Sequence, residues 1–131
     1  MPLTQPELND LFAVLVTASL QKARVPLTDE KAAQTAISEL LFANKISHER
    51  EYRLSKRDIV DFWLPDHGGG NAIIEVKMNG ARAADVYRQL ARYAAFPTVG
   101  RVFLVTNKAM GLPKEINGKP AYYMSLGRAW L

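Results

Sequence analysis

The stretch Asp58-Ile-Val-Asp-Phe-Trp-Leu-Pro-Asp-His-Gly-Gly-Gly-Asn-Ala-Ile-Ile-Glu-Val-Lys-Met78 decides how this chain folds. Two runs rich in β-branched and aromatic residues, 58–64 and 72–78, flank the turn-forming segment from Pro65 to Asn71, so they read as an antiparallel hairpin. Opposed residues in such a hairpin have a constant index sum, and a turn centred on Gly68 sets Asp61 opposite Glu75. Directly opposed side chains stand about 5 Å apart at Cβ. Lys77 is two residues beyond Glu75 and shares its face. The hairpin thus converges two carboxylates and an amine, and a slip of one residue would separate them. Both strands read as buried on two faces yet carry these charges, and burying unpaired charge is costly. A bound cation would offset that cost; so would a plain ion pair of Lys77 with Glu75 or Asp61.

Outward from the hairpin, residues 48–54 alternate as a strand, with Tyr52 and Leu54 on one side and Glu49 and Glu51 on the other. Before it, Thr28 can cap a helix that carries Asp29 and Glu30 in its first turn and Ala33, Ala36, Ile37, Leu40 and Leu41 on one face, ending near Asn44 and Lys45. An extra N-terminal helix opens with the capping pair Thr4 and Glu7 around Pro6, continues through Leu8, Leu11, Phe12, Leu15 and Val16, and ends near Gln21 before Pro26. After the hairpin, a helix runs from about Ala81 to Phe96 with Val86, Leu90 and Tyr93 buried, stopped by Pro97 and Gly100. Val102 to Thr106 reads as a buried strand, and Tyr122 to Leu126 as a last edge strand. The order predicts a single α/β domain over 1–131, with a mixed sheet flanked by helices.

The chain has 131 residues, 48% of them apolar, which suits one globular core. It contains no cysteine and two histidines, which argues against disulfides, thiolate metal sites and zinc. Any metal must then be held by oxygen, as Mg2+ or Mn2+ is. Residues 11–20 form an apolar run too short to span a bilayer, and the N-terminus does not read as a signal peptide. A soluble, intracellular, cytoplasmic protein with no membrane partner is the expectation. The formal charge of +4 is compatible with a polyanionic partner.

Two carboxylates beside a lysine are a minimal set for cutting a phosphodiester. The carboxylates hold a cation that neutralises charge building on the phosphate, and the amine orients or deprotonates a water. Asp58 and Asp66 compete with Asp61 for the first position. Asp66 lies in the turn, and Asp58 is three residues from Asp61 and should face the other way.

Asp61 followed by Ile73-Ile74-Glu75-Val76-Lys77 resembles the PD-(D/E)XK nuclease superfamily over residues 30–106. The resemblance implies a restriction-endonuclease-like core of helix, three strands, helix and strand, a Mg2+- or Mn2+-dependent nuclease activity on DNA more than RNA, metal ligation by Asp61 and Glu75, and a water-orienting role for Lys77. The proline that often precedes the first aspartate is replaced by Val60, which leaves the choice of aspartate open. Gln89-Leu-Ala-Arg-Tyr93 is similar to the Gln-x-x-x-Tyr motif of RecB-type exonucleases, whose residues help organise the site and the strand. Gln89 and Tyr93 are one helical turn apart and share a face; a core tyrosine beside a surface glutamine is the plainer alternative. The superfamily often places another acid on the helix before the first strand, and Glu39 is the candidate, with Glu49 and Glu51 weaker.

Arg82, Arg88, Arg92, Lys56 and Arg57 could grip phosphates, although a solvated helix face also explains the first three. Lys108, Lys114 and Lys119 receive no role. His67 and its glycines read as a flexible turn. A small dimeric endonuclease of the Holliday-junction-resolvase kind and a strand-end nuclease both fit, with weak sequence specificity expected and a homodimer possible by analogy. A non-catalytic nucleic-acid- or protein-binding module on the same fold, and a structural α/β protein with a satisfied ion-pair cluster, are the competing readings.

Overall fold

The computed structural model describes residues 10–21, 29–65, 70–78, 80–107 and 110–125. In chain order these form α1 (Leu11–Gln21), α2 (Glu30–Ala43), β1 (Glu49–Arg53), β2 (Ile59–Leu64), β3 (Asn71–Lys77), α3 (Ala83–Ala94), β4 (Val99–Thr106), β5 (Glu115–Ile116) and β6 (Lys119–Ser125). The capping pair Thr4 and Glu7, with Pro6, Leu8, Pro26, Thr28, Asp66, His67, Lys108 and Leu126, lies outside the described residues. The cap of α2 is Asp29: its extended backbone and its side chain accept the start of the helix, the carboxylate taking the N–H of Lys31. The helix ends at Ala43 with Asn44 as C-cap, and Lys45 turns left-handed with φ 59°.

The fold is α/β, with one mixed six-stranded sheet in the order β1-β2-β3-β4-β6-β5. β1, β2 and β3 form an antiparallel meander. The step from β3 to β4 passes through α3 and returns parallel, as a crossover helix requires. The expected last edge strand is corrected: β6 lies between β4, to which it is parallel, and the two-residue β5, which takes the edge. The Asn117-Gly118 turn, with both residues at positive φ, folds β5 back onto β6. Sequence alternation alone does not reveal a neighbour of two residues.

Each face of the sheet has its own apolar layer. Phe62, Leu64, Ile74, Val76, Phe103 and Val105 pack with α1 and α2 through Phe12, Val16, Leu20, Ala33, Ile37 and Leu41. Trp63, Ile73, Val102 and Leu104 pack with α3 through Val86, Leu90, Tyr93 and Ala94. Cover on both sides explains why β3 reads as an apolar run rather than an alternation. A buried Arg101 fastens α1 to this arrangement. Its guanidinium donates to Asp10 Oδ1 at 2.8 Å and to the Gly70 carbonyl at 2.6 Å and lies 4.5 Å over the Phe12 ring. Tyr122 donates to the other Asp10 oxygen at 2.9 Å. Gly70 is at φ 87° against Gly100, and a Cβ there would meet the Gly100 Cα at 3.0 Å, so the entry to β3 requires glycine.

Candidate active site

The register Phe62↔Ile74, Trp63↔Ile73 and Leu64↔Ala72 carries forward to place Asp61 opposite Glu75. At that step side chains replace the ladder. The Asp61 N–H donates to Glu75 Oε1 at 2.8 Å, and the Val76 N–H donates to Asp61 Oδ2 at 2.8 Å. β2 is irregular at the same point. Val60 and Phe62 have the same parity, yet Val60 packs in the α3 layer and Phe62 in the α1–α2 layer. On β1, Glu51 stands between the residues paired with Val60 and Phe62 and has φ 52°, an uncommon value for a side chain of its size. The opened ladder lets both carboxylates reach backbone amides.

Glu75 is 2% exposed. Burial, then the nearby Asp61 carboxylate, push its pKa up to about 8, against the opposing pull of the Asp61 N–H and Lys77. Asp61 is also raised, chiefly by burial, while the Val76 N–H and Lys77 pull it down. Lys77 Nζ lies 3.8 Å from Glu75 Oε2. A buried carboxylate pair whose environment disfavours its charge matches what an oxygen-liganded dication neutralises. Among the described residues no three His, Asp or Glu side chains are gathered tightly enough to enclose an ion. Asp61 and Glu75 are the two carboxylates that could take an oxygen-liganded cation, with water filling its other positions.

The third acid near the pair is Glu30, not Glu39. The Glu30 charge raises both Asp61 and Glu75. Glu39 is nine residues further along α2, on the opposite helix face and roughly 13 Å away along the axis. It is exposed and lines a separate hollow with Thr35, Ser38, Phe42, His48 and Arg50. The acidic residue in the first turn of α2 serves the helix dipole in a sequence reading; only the docking of α2 on the sheet turns it toward Asp61. Lys31 beside it pairs with Glu51 at 2.9 Å on the surface.

Asp58 is buried and engaged elsewhere: it accepts from Arg92 Nε at 2.8 Å and from Ser55 Oγ at 3.3 Å. Tyr93 is buried, and its hydroxyl donates to the Ile59 carbonyl at 3.2 Å. Burial and the neighbouring Glu75 charge raise it to about 12, so it is a protonated phenol that anchors β2 to α3. Gln89 is half-buried and one turn away, and it lines an open cleft with Lys77. The structure thus brings Asp61, Glu75 and Lys77 together with Tyr93 behind them, and sets Gln89 at the cleft and Glu39 apart.

Comparison with protein-family models, with curated proteins and with solved structures finds no match to this chain. Among the described residues no helix is long and apolar enough to cross a membrane.

Proposed function

We propose that the protein is a metal-dependent nuclease on a restriction-endonuclease-like core, hydrolysing phosphodiester bonds in DNA more readily than in RNA. The observation that carries this reading is the opposed pair Asp61 and Glu75, locked by reciprocal side-chain-to-amide bonds, with Lys77 Nζ 3.8 Å from Glu75. The order α2, β1, β2, β3, α3, β4, with an antiparallel meander followed by a parallel crossover, supports the finer reading of the core.

A bound Mg2+ or Mn2+ would neutralise charge on the scissile phosphate. Asp61 and Glu75 would hold it, each with one oxygen already fixed by a backbone N–H and the other left to bind the ion. Lys77 donates toward the attacking water and the phosphate from the same strand face. Tyr93 acts as a positioning residue through the Ile59 carbonyl. Gln89 faces the strand from the cleft wall. In this reading ends or structure rather than sequence direct cutting, and a homodimer would suit a branched substrate.

The test is incubation with single-stranded, double-stranded and branched DNA and with RNA, in Mg2+ or Mn2+, beside Lys77→Ala and Glu75→Ala. Metal-dependent cleavage lost in both variants is expected. Cleavage that survives in Glu75→Ala sinks the assignment of this site; absence of cleavage on every substrate, with calorimetry finding no metal bound, sinks the nuclease reading and leaves a non-catalytic binding module.

A further inference from the structure

A cleft of about 550 Å³ opens beside the carboxylate pair, lined by Lys77, Gly80, Ala81, Arg82, Asp85, Val86, Arg88, Gln89 and Arg92. Four of its walls are cationic and one is acidic. That acid, Asp85, is paired with Arg88 across one turn of α3. Arg92 is not a loose surface cation: the buried Asp58 carboxylate holds its Nε at 2.8 Å, which fixes the guanidinium while half of the side chain stays in solvent. Arg82 stands at the N-cap of α3 in an extended conformation and makes no capping bond there. Lys77 is common to this cleft and to the carboxylate pair.

The geometry points to a phosphate subsite in this cleft, which takes the phosphate of the nucleotide adjoining the one that is cut. A phosphodiester strand lying across Asp61 and Glu75 would run past Lys77 into it. The ligand chemistry is that of a backbone phosphate: guanidiniums offer forked N–H donors that match phosphate oxygens, and that of Arg92 is held in place by Asp58. The first turn of a helix adds a favourable field for an anion, and no base-reading group is needed. The residues that would carry the grip are Arg82 and Arg92, with Gln89 as a neutral donor. The identity of the strand rests on the nuclease reading; the binding of phosphate here does not require cutting.

The test is therefore made without metal. Anisotropy of a short fluorescein-labelled single-stranded oligodeoxynucleotide is measured in chelator over a salt series, for the wild type, Arg82→Ala, Arg82→Lys, Arg92→Lys and Arg50→Ala. Arg50 lies over Phe62 on the other face of the sheet and controls for net charge. Each single-strand phosphate contact contributes about 0.7 to the slope of log affinity on log salt. Arg82→Ala should weaken binding roughly fivefold to tenfold at low salt and flatten the slope by about that amount, Arg82→Lys should recover most of it, and Arg50→Ala should change neither. Equal losses in Arg82→Ala and Arg50→Ala would reduce the cleft to bulk charge and overturn the subsite. An Arg82→Ala protein that binds like the wild type would overturn it as well, whether or not the wild type cuts DNA when metal is supplied. Arg92→Lys keeps the charge but not the fork, and a loss there with an unchanged melting temperature would separate phosphate contact from its structural pairing with Asp58.

Discussion

Asp61 donates its backbone N–H to the side chain of Glu75, while its own carboxylate accepts the N–H of Val76, each bond at 2.8 Å. Two acids are thereby held face to face by the strands that carry them. Both carboxyls are raised above their ordinary values, Glu75 to about 8.

The first consequence concerns stability in the absence of metal. The folded Glu75 carboxyl binds its proton up to about pH 8, whereas the unfolded one releases it near the ordinary 4.5. Between those values the folded state holds more protons, so stability falls as pH rises, by an amount on the order of a few kcal/mol. Thermal melts in chelator from pH 5 to pH 9, run as wild type against Glu75→Gln, should show a declining wild-type curve and a flatter variant. A wild type that gains stability over this range relative to the variant contradicts the buried-pair account.

Metal should reverse that loss. Added Mg2+ or Mn2+ at pH 8 should raise the melting temperature in a concentration-dependent way, and Asp61→Asn or Glu75→Gln should abolish the rise. Because Glu75 is largely protonated at pH 7, binding should release close to one proton per ion. Calorimetry in buffers of different ionisation enthalpy measures this directly.

The two aspartates should separate cleanly. Asp58→Asn breaks the charge-assisted contact with Arg92, which is half in solvent, so about 1 kcal/mol of stability is lost. Metal binding at Asp61 and Glu75 should persist. Asp61→Asn should remove metal binding. The opposite pattern in a titration would move the ligand role to Asp58.

Arg101 should behave as a structural lock. It is 2% exposed and held by Asp10, Gly70 and the Phe12 ring. Asp10→Ala strands a buried guanidinium and should cost about 3 kcal/mol or more in denaturant unfolding. Arg101→Met should cost less than Asp10→Ala, because it removes the charge together with its need for a partner. Neither should change the metal titration of protein that remains folded.

Tyr93→Phe removes the bond to the Ile59 carbonyl and the phenol oxygen beside Arg92, and keeps the ring. A loss of about 1 kcal/mol is expected, with no change in metal affinity and no shift in the pH profile of any activity, since the phenol stays protonated up to about pH 12. A pH profile that moves with this substitution would give the tyrosine a direct proton-transfer role.

Much of this was legible in the chain itself. The turn composition between Leu64 and Asn71 and the apolar runs beside it set the antiparallel hairpin, and a constant index sum then fixed Asp61 opposite Glu75 and Lys77 on the face of Glu75. Those are local matters: register and alternation follow from the period of the backbone and the length of one turn. The α3 stripe of Val86, Leu90 and Tyr93 was legible for the same reason. What only the tertiary structure decided are relations between elements distant in sequence. Glu30 rather than Glu39 approaches the carboxylates because of how α2 is rotated on the sheet, and a helix presents each acid to whichever neighbour packing supplies. Asp58 is occupied because Arg92 arrives from a helix 34 residues away. β6 is covered by β5, and Arg101 is buried under α1, through contacts no local pattern encodes. Sequence period sets which side chains share a face; the packing of those faces decides which charges meet.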